Sequence, residues 1–386
     1  MSKRQSIAVI LLFCLFIFGF GIAQIVLPDR AFSEQENRYL TQFTPPKLGT
    51  LKLDSGLPVW QGGNIFNGEF MTGFEDYVID QFPLRDQWIW LKAASERAVG
   101  KQENNGVYFG TDGDTLFAQF TPPTDLEQRV GYVNQLADNV DVPVYFSLIP
   151  GKSTIWSHLL PANAPNADER GTLERAEALI SDRVHWIDLE DDLAAVKEEY
   201  IFYRTDHHWT TQGAYAGYQG LMEGMGLPAA EAGEPELVSD QFYGTTYSSC
   251  GAFWVRPDEI YLQIPQDSGI QVTSYRNGAP EASSLYDFSY LDKKDKYSLF
   301  LGGNQPLCVL ENPESDGPRV LVVRDSYSDS LAPFLAQSFS QVHLWDCRYN
   351  RTMLSEYVAE QQIDMVLVLY SVANFATDAN LFLMSR

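Results

Sequence analysis

Short, mostly apolar runs alternate with helix-like patterns along most of the chain. Four of these runs have the length and the Val and Leu content of buried strands, at 142–149, 320–323, 342–345 and 365–369. Between them, apolar residues three and four positions apart predict helices, as at 126–137. Strands of this kind that alternate with helices are typical of a parallel sheet covered on both faces. The pattern therefore predicts an α/β fold with a mostly parallel sheet flanked by helices.

Three regions depart from this alternation. Residues 28–60 are rich in Pro, Gly and polar residues, which predicts a linker. Residues 66–99 carry two helix-period patterns separated by a proline turn, which predicts an N-terminal helical extension. At about 227–318, clusters of Pro, Gly, Asp and Ser separate short apolar runs, which predicts an inserted irregular or antiparallel region. One domain, 61–386, would then include this insertion.

The N-terminus is a targeting or anchoring element. Lys3 and Arg4 precede an uncharged apolar run from Ile7 to Leu27, about the length that spans a bilayer. The basic flank predicts a cytoplasmic N-terminus and an exported remainder. Two alternatives stay open: residues 1–27 are an uncleaved signal anchor, or a signal peptide is cleaved after Ala23 and the protein is secreted.

Composition excludes some classes of function. With 45% hydrophobic residues the chain is globular, and its formal net charge of -24 disfavours binding to nucleic acid. The exported part contains Cys250, Cys308 and Cys347. One pair could form a disulfide in an oxidising compartment, or all three could be buried free thiols, and their spacing does not decide between these.

Candidate chemistry is concentrated in residues 205–210, Thr-Asp-His-His-Trp-Thr, which hold two of only five histidines. Residues two apart in an extended segment project to the same side, so Asp206 can orient His208 as a general base. Ser326 follows a predicted strand, where ligands bind in open parallel sheets, and is the candidate nucleophile. His207 would point the other way.

Each of these residues has a simpler interpretation. Ser326 could cap the helix that follows it, and Asp206 and His208 could belong to a polar turn before a helix capped by Thr210. A metal site is also conceivable, but adjacent histidines do not easily converge on one ion, so no metal and no cofactor is predicted.

The Thr205 to Thr210 block resembles the signature of the DHHW family, exported bacterial proteins similar to periplasmic alginate O-acetyltransferases of the SGNH-hydrolase-like type. Other blocks resemble that family in the same order, at 33–40, 80–86, 105–108, 112–113, 302–304 and 324–327. The resemblance implies an SGNH-like fold with Ser326 as nucleophile, His208 as base and Asp206 as its partner. The chain departs from SGNH enzymes in having Arg324 where they usually have glycine.

Supporting residues are suggested at three places. Gly303 and Asn304 could donate hydrogen bonds to an oxyanion, although a Gly-Gly-Asn turn is also ordinary loop chemistry. Lys152 and Arg324 could bind an anionic sugar or acyl donor, or they could be solvated or paired with acidic neighbours. A carbohydrate groove could be formed by aromatic and basic residues beside the signature, unless these are core residues: Tyr203, Arg204 and Trp209.

The resemblance implies O-acetyl transfer to a cell-surface polysaccharide by a membrane-anchored, extracytoplasmic domain. It also implies a membrane-bound O-acyltransferase partner that delivers the acetyl group. Two alternatives remain: a carbohydrate acetyl esterase that uses the same triad, and a non-catalytic glycan-binding or assembly protein.

Overall fold

The computed structural model describes residues 3–54 and 57–386. These residues form two compact units. The smaller unit comprises 1–101 together with 251–253, and the larger unit comprises 102–250 together with 254–386.

The smaller unit contains three helices and two short hairpins among its described residues. In chain order these are α1 (Lys3–Val26), β1 (Phe32–Ser33), β2 (Arg38–Tyr39), β3 (Thr50–Asp54), β4 (Leu57–Gln61), α2 (Glu69–Asp80) and α3 (Arg85–Ala98). The helix α1 is long and apolar enough to cross a membrane, a property it shares with signal sequences. The helices α2 and α3 are those expected on either side of the proline turn.

Glu36 and Arg38, within the stretch 28–60 that is predicted to be a linker, are held to the helices by ion pairs. Arg38 contacts both carboxylate oxygens of Asp80 at 2.9 and 2.5 Å, and Arg85 forms a bidentate pair with Glu36. The Arg38 guanidinium, helped by hydrogen bonds from Thr41, holds the pKa of Asp80 well below its usual range. This part of the chain is therefore more than an extended spacer, because Arg38 and Glu36 form ion pairs with Asp80 and Arg85, which lie on either side of the proline turn.

The larger unit contains the remaining strands and helices. The strands are β5 (Glu103–Asn104), β6 (Val107–Phe109), β7 (Leu116–Ala118), β8 (Val144–Ile149), β9 (Val184–Trp186), β10 (Glu236–Phe242), β11 (Asp258–Leu262), β12 (Gln271–Ser274), β13 (Glu281–Ser283), β14 (Leu307–Glu311), β15 (Arg319–Arg324), β16 (Gln341–Trp345) and β17 (Met365–Ser371). The helices are α4 (Leu126–Asn139), α5 (Lys152–Ile155), α6 (Glu169–Ala178), α7 (Glu190–Ala195), α8 (Thr211–Gly224), α9 (Thr245–Cys250), α10 (Tyr327–Ser338), α11 (Leu354–Glu360) and α12 (Val372–Thr377).

Eight of these strands form one central sheet in the order β13-β12-β14-β16-β15-β17-β8-β9. The five strands from β16 to β9 are parallel, and the other three extend the sheet in antiparallel fashion. Alternate residues of β15 enter two different apolar clusters: Val320 and Val322 join one, Leu321 and Val323 the other. The predicted α/β fold, a mostly parallel sheet buried on both faces, is confirmed.

The region 227–318 is less separate than the predicted insertion. It supplies β12, β13 and β14 to the central sheet, and β14 pairs with β16 along its full length. Its antiparallel character is as expected. The apolar sequence Leu307-Cys308-Val309-Leu310 is the signal that marks β14 as a buried strand of the core.

All four cysteines are free thiols. Cys250, Cys308 and Cys347 are buried, and burial raises the pKa of Cys308 to about 12. A buried thiol that stays protonated is a poor nucleophile, so these side chains act as small core residues.

Candidate active site

Ser326 lies where the central strand β15 ends and α10 begins. Its side chain makes no hydrogen bond that caps the helix. Instead, Ser326 Oγ lies 2.7 Å from His208 Nε2. The serine is buried, with 9% of its surface exposed.

Asp206 and His208 lie at the tip of a hairpin whose two sides are joined by a bridge between Phe202 and Trp209. His208 Nδ1 lies 2.5 Å from Asp206 Oδ1. The other Asp206 oxygen accepts hydrogen bonds from the backbone amide and the hydroxyl of Thr245 at 2.7 and 2.9 Å. With Nδ1 donating to the carboxylate, His208 Nε2 is left as an acceptor that faces the Ser326 hydroxyl.

The carboxylate of Asp206 is fully buried yet stabilised as an anion. Burial alone would raise its pKa, but the neighbouring His207 and His208 and its hydrogen bonds outweigh burial and hold the pKa well below the usual range. A permanent negative charge therefore lies behind His208.

The spacing predicts that His207 points away from His208, but in the structure the two rings lie side by side. The two imidazole centroids are 3.8 Å apart, and His207 Nδ1 lies 2.8 Å from Thr245 Oγ1. Burial and the neighbouring His208 lower the pKa of His207 to about 4, so its ring is neutral near pH 7.

Asp206, His207 and His208 have side-chain ligand atoms within 4.8 Å of one another, close enough to be considered as a metal site. However, both ring nitrogens of His208 and both Asp206 oxygens already have hydrogen-bond partners in Ser326 and Thr245 or in each other. The donor set fits a hydrogen-bonded relay better than an ion.

Tyr297, which the sequence did not single out, contacts both His208 and Ser326. Its ring stacks on the His208 ring with centroids 3.9 Å apart and planes 9° apart. Its hydroxyl donates to the Ser326 carbonyl at 3.0 Å and lies 3.1 Å from Ser330 Oγ. The residue lies in the region 227–318, far from both partners in the chain, and no local pattern marks it.

Trp209 and Tyr203 are core residues, which corrects their proposed place in a carbohydrate groove. Both are 0% exposed. The Trp209 indole nitrogen donates to the Tyr327 carbonyl at 3.0 Å and to Ser330 Oγ at 3.1 Å, so it holds the first turn of α10. Aromatic residues beside a signature do not by themselves distinguish a groove from a core.

Asp325 also organises the site, although the sequence analysis gave it no role. One of its carboxylate oxygens accepts hydrogen bonds from the backbone amide and hydroxyl of Ser371 and from Asn374 Nδ2, at 2.7 to 2.8 Å. The other accepts from the Tyr327 amide at 3.0 Å. It therefore ties the turn before Ser326 to the end of β17.

Lys152 and Arg324 are buried, and the structure does not leave them free to bind an anionic substrate. Lys152 Nζ donates to the carbonyls of Tyr203 and Asp206 at 2.8 and 2.6 Å, and burial lowers its pKa to about 8. Arg324 Nη1 lies 2.9 Å from Asp329 Oδ1. Arg324 is thus paired with an acidic neighbour, the alternative given for it above. Lys152 is neither solvated nor paired in this way, because backbone carbonyls hold its ammonium group.

Gly303 and Asn304 lie in a turn before β14. Gly303 has φ +82, where a side chain would be strained. The side-chain oxygen of Asn304, Oδ1, accepts hydrogen bonds from Arg324 and Arg348, both at 3.1 Å. Because the two guanidinium groups occupy the oxygen, the Asn304 amide nitrogen is the atom left to donate.

The chain is similar to proteins of known family and known structure. The family model described as DHHW protein matches residues 163–345, which confirms the resemblance to that family. Among curated proteins, a probable alginate O-acetylase AlgJ of Pseudomonas syringae pv. tomato is 24% identical over 188 residues, 46% of this chain and 48% of the relative. This chain spans about half the length of the curated relatives it matches.

Two solved structures cover more of the chain. A DHHW family protein from Eubacterium siraeum has a TM-score of 0.62 and 22% identity, covering 73% of this chain and 95% of its own. Bacillus cereus PatB1 with a sulfonyl adduct has a TM-score of 0.59 and 22% identity, covering 70% and 95%. At this identity the likeness shows the fold, and the predicted α/β architecture is one that these solved structures share.

Proposed function

We propose that this protein is an extracytoplasmic O-acetyltransferase that acts on a cell-surface polysaccharide through Ser326, His208 and Asp206. The observation that carries the proposal is the continuous chain of contacts from Asp206 to His208 at 2.5 Å and from His208 to Ser326 at 2.7 Å. The curated relatives named as probable alginate O-acetylases favour acetyl transfer to a polysaccharide.

In the first half-reaction, His208 Nε2 takes the proton of Ser326 Oγ as this oxygen attacks the acetyl carbonyl carbon of the donor ester. The tetrahedral intermediate then collapses. The bond between carbonyl carbon and leaving oxygen breaks, and that oxygen receives the proton from His208. Asp206 stabilises the imidazolium throughout. The product is an acetyl ester on Ser326.

In the second half-reaction, a sugar hydroxyl gives its proton to His208 as its oxygen attacks the same carbonyl carbon. The bond to Ser326 Oγ breaks, and the serine recovers its proton from His208. Asn304 is the proposed donor to the oxyanion, because Arg324 and Arg348 fix its side-chain oxygen and its amide nitrogen is the side-chain atom that can donate. Gly303 gives its turn the required backbone conformation.

The acetyl donor is proposed to come from a membrane-bound O-acyltransferase. An α1 that stays in the membrane would keep the larger unit close to such a partner. A cleaved α1 would release a secreted enzyme, which would need a soluble donor.

Ser326→Ala provides the test. Incubation with p-nitrophenyl acetate, with and without an oligosaccharide, followed by mass spectrometry should show an acetylated serine and acetylated sugar for the wild type. The variant should lose at least about 10³-fold in turnover, because no other group can form the acyl-enzyme. Ser328→Ala is the matched control, since Ser328 is a buried serine two positions away, in the first turn of α10, whose hydroxyl has no hydrogen-bond partner in the described chain.

The two alternatives give different results. Acetate release that an oligosaccharide does not divert to acetylated sugar would identify an esterase with the same triad. Absence of both turnover and acyl-enzyme in the wild type would reject the enzyme and favour a glycan-binding protein.

A further inference from the structure

A second concave site lies behind the hairpin that carries Asp206 and His208. It is a cavity of about 420 Å³, within the range of small-ligand sites. Arg204 and Thr210 contribute to its wall, and each is two positions from a residue of the proposed triad. Two residues span at most about 7 Å, so these wall residues lie close to the part of the hairpin that carries Asp206 and His208.

One wall of the hollow is a face of β11. Asp258, Ile260 and Leu262 point into the interior, and the alternate residues Glu259 and Tyr261 face the hollow. An antiparallel strand often presents a polar face to open solvent. Here the face is covered instead, by residues of the hairpin and by the start of α8.

The hollow contains both an aromatic and a polar surface. The Arg204 guanidinium lies 4.9 Å from the centroid of the Tyr200 ring, and the Tyr200 hydroxyl is fixed by Asp258 at 2.5 Å. Tyr261 adds a second ring, with its hydroxyl donating to Glu259 at 2.7 Å. Rings held in this way present fixed apolar surface beside hydrogen-bonding groups.

Two buried polar atoms at this hollow have no hydrogen-bond partner within residues 3–54 and 57–386. They are Gln263 Oε1, an acceptor, and Arg204 Nε, a donor that lies 3.4 Å from Asp258 Oδ1 without bonding geometry. A buried polar group without a partner costs about 1–3 kcal/mol, so a ligand that supplies both a donor and an acceptor is favoured here. A hydroxyl group supplies both.

The charges of the wall select against an acidic ligand. Arg204 is paired with the buried Asp258, Glu259 adds a negative charge to the wall, and the whole chain carries a net charge of -24. A carboxylated sugar would therefore find no excess positive charge in the wall. The net negative charge of the protein would repel it.

We propose that this hollow is a saccharide subsite that binds one neutral sugar unit of the acceptor polysaccharide. The role as an acceptor subsite rests on the proposed acetyl transfer, whereas the binding itself does not. Binding here would hold the glycan beside the hairpin that carries His208 while another unit reaches Ser326.

Calorimetric titration of the full chain tests the subsite, with Ser326→Ala as the background so that no acetyl group is transferred. The probes are a neutral tetramer of N-acetylglucosamine and a mannuronate tetramer. We expect saturable binding of the neutral tetramer, with the acidic tetramer at least about tenfold weaker because of the charge balance. Equal or tighter binding of the mannuronate would overturn the neutral assignment.

Two different changes to the wall locate the binding. Tyr261→Ala with Gln263→Leu removes a ring and an acceptor, and Gln212→Trp fills the hollow from the start of α8. Each should weaken binding of the neutral tetramer at least about tenfold, since cavity contacts provide the affinity. The exposed Tyr349, which lies in a different hollow, is the control, and Tyr349→Ala should bind as the background does.

Thermal unfolding midpoints show that each variant is folded. Folded wall variants that keep full affinity would overturn the site, as would a background protein that binds neither tetramer. If wild type fails to turn over p-nitrophenyl acetate but the hollow binds the neutral tetramer, the proposed function fails and the saccharide site stands.

Discussion

Tyr297 is the residue whose contacts bear most directly on the proposed chemistry. Its ring stacks on His208, and its hydroxyl bonds the carbonyl of Ser326. An aromatic face attracts a cation by about 0.5–2 kcal/mol, so the stack would favour the imidazolium that forms during acyl transfer. We therefore assign Tyr297 a positioning role.

Replacing Tyr297 in two steps separates its two contacts. Tyr297→Phe keeps the stack and loses the hydroxyl, and we expect kcat for p-nitrophenyl acetate to fall about tenfold with little change in KM. Tyr297→Leu loses both contacts, and its kcat should fall about 10²-fold, the scale of a misplaced catalytic group.

Tyr286→Phe is the control for this pair. The Tyr286 hydroxyl is also buried and also donates to a backbone carbonyl, that of Ile264 at 2.8 Å. It should lower the unfolding midpoint about as much as Tyr297→Phe without changing kcat. A purely structural Tyr297 would behave in the same way as Tyr286.

At this scale the sequence supports prediction of contacts within a short segment better than contacts across the fold. The spacing of Asp206 and His208 and the place of Ser326 after a strand predicted a cluster, and the three side chains do lie together. No local pattern marks Tyr297, and the sequence leaves open whether Trp209 is a groove residue or a core residue. Burial depends on what packs from distant segments, and one chain does not display that.

Among the elements, α8 is notable for four glycines on or near one face, at Gly213, Gly217, Gly220 and Gly224. Glycine is unfavourable inside a helix by up to about 1 kcal/mol relative to alanine. Here it allows close approach: a Cβ at Gly217 would lie 2.6 Å from the Trp209 ring, and one at Gly213 would meet the Ile201 carbonyl. The helix thus packs directly on the hairpin that carries Asp206 and His208.

Gly217→Ala should consequently lower the free energy of unfolding by about 1–3 kcal/mol, the usual cost of overpacking, despite the gain in helix propensity. Urea unfolding measures it. Gly131→Ala in α4 is the matched change, because no atom lies within 4 Å of its Cβ position. That variant should be up to about 1 kcal/mol more stable. Stabilisation by both would show that the glycine face of α8 is not a packing requirement.

Most helices and parallel strands could be predicted because their apolar period is local. The antiparallel part of the sheet could not be placed in this way. Strand β14 has an evident apolar run, yet the choice between a separate insertion and an edge of the central sheet depends on pairing with β16, about 30 residues further along the chain. Polar clusters around it made the region look separate.

At the scale of the whole molecule, the free energy of unfolding should depend on pH because of His343. Burial lowers the pKa of His343 to about 4, and its ring is held by Tyr357 and Gln341 at 2.7 and 3.1 Å. Because histidine titrates near 6.5 in an unfolded chain, the unfolded state binds the proton more tightly between these pH values. Stability from this group is therefore present above about pH 6.5 and is lost as the pH falls toward 4.

His343→Gln removes this titration and keeps a polar side chain. Between pH 7 and pH 5, the wild type should lose about 2 kcal/mol more of its unfolding free energy than the variant does, from the linkage relation. Urea unfolding at the two pH values gives the difference. Equal losses would show that His343 is not selectively protonated in the unfolded chain.

The position of the molecule in the cell depends on α1. Its 24 residues would extend about 36 Å as a helix, enough for the roughly 30 Å hydrocarbon core of a bilayer. Lys3 and Arg4 lie at its start and favour a cytoplasmic N-terminus. The apolar run also passes the possible cleavage position at Ala23 and continues to Leu27, which favours a retained anchor.

We therefore expect the mature protein to keep residues 1–27 and to resist alkaline extraction from membranes, with Ala23→Leu making no difference to either result. Intact-mass measurement reads the N-terminus directly. A variant with Leu12→Arg and Phe16→Arg should leave the membrane fraction, because charged side chains at the centre of a helix each oppose insertion by about 2.5–3.5 kcal/mol. A wild-type mass that corresponds to a chain cleaved after Ala23, together with a full-length mass for Ala23→Leu, would instead identify a secreted protein. The acetyl donor would then have to be soluble.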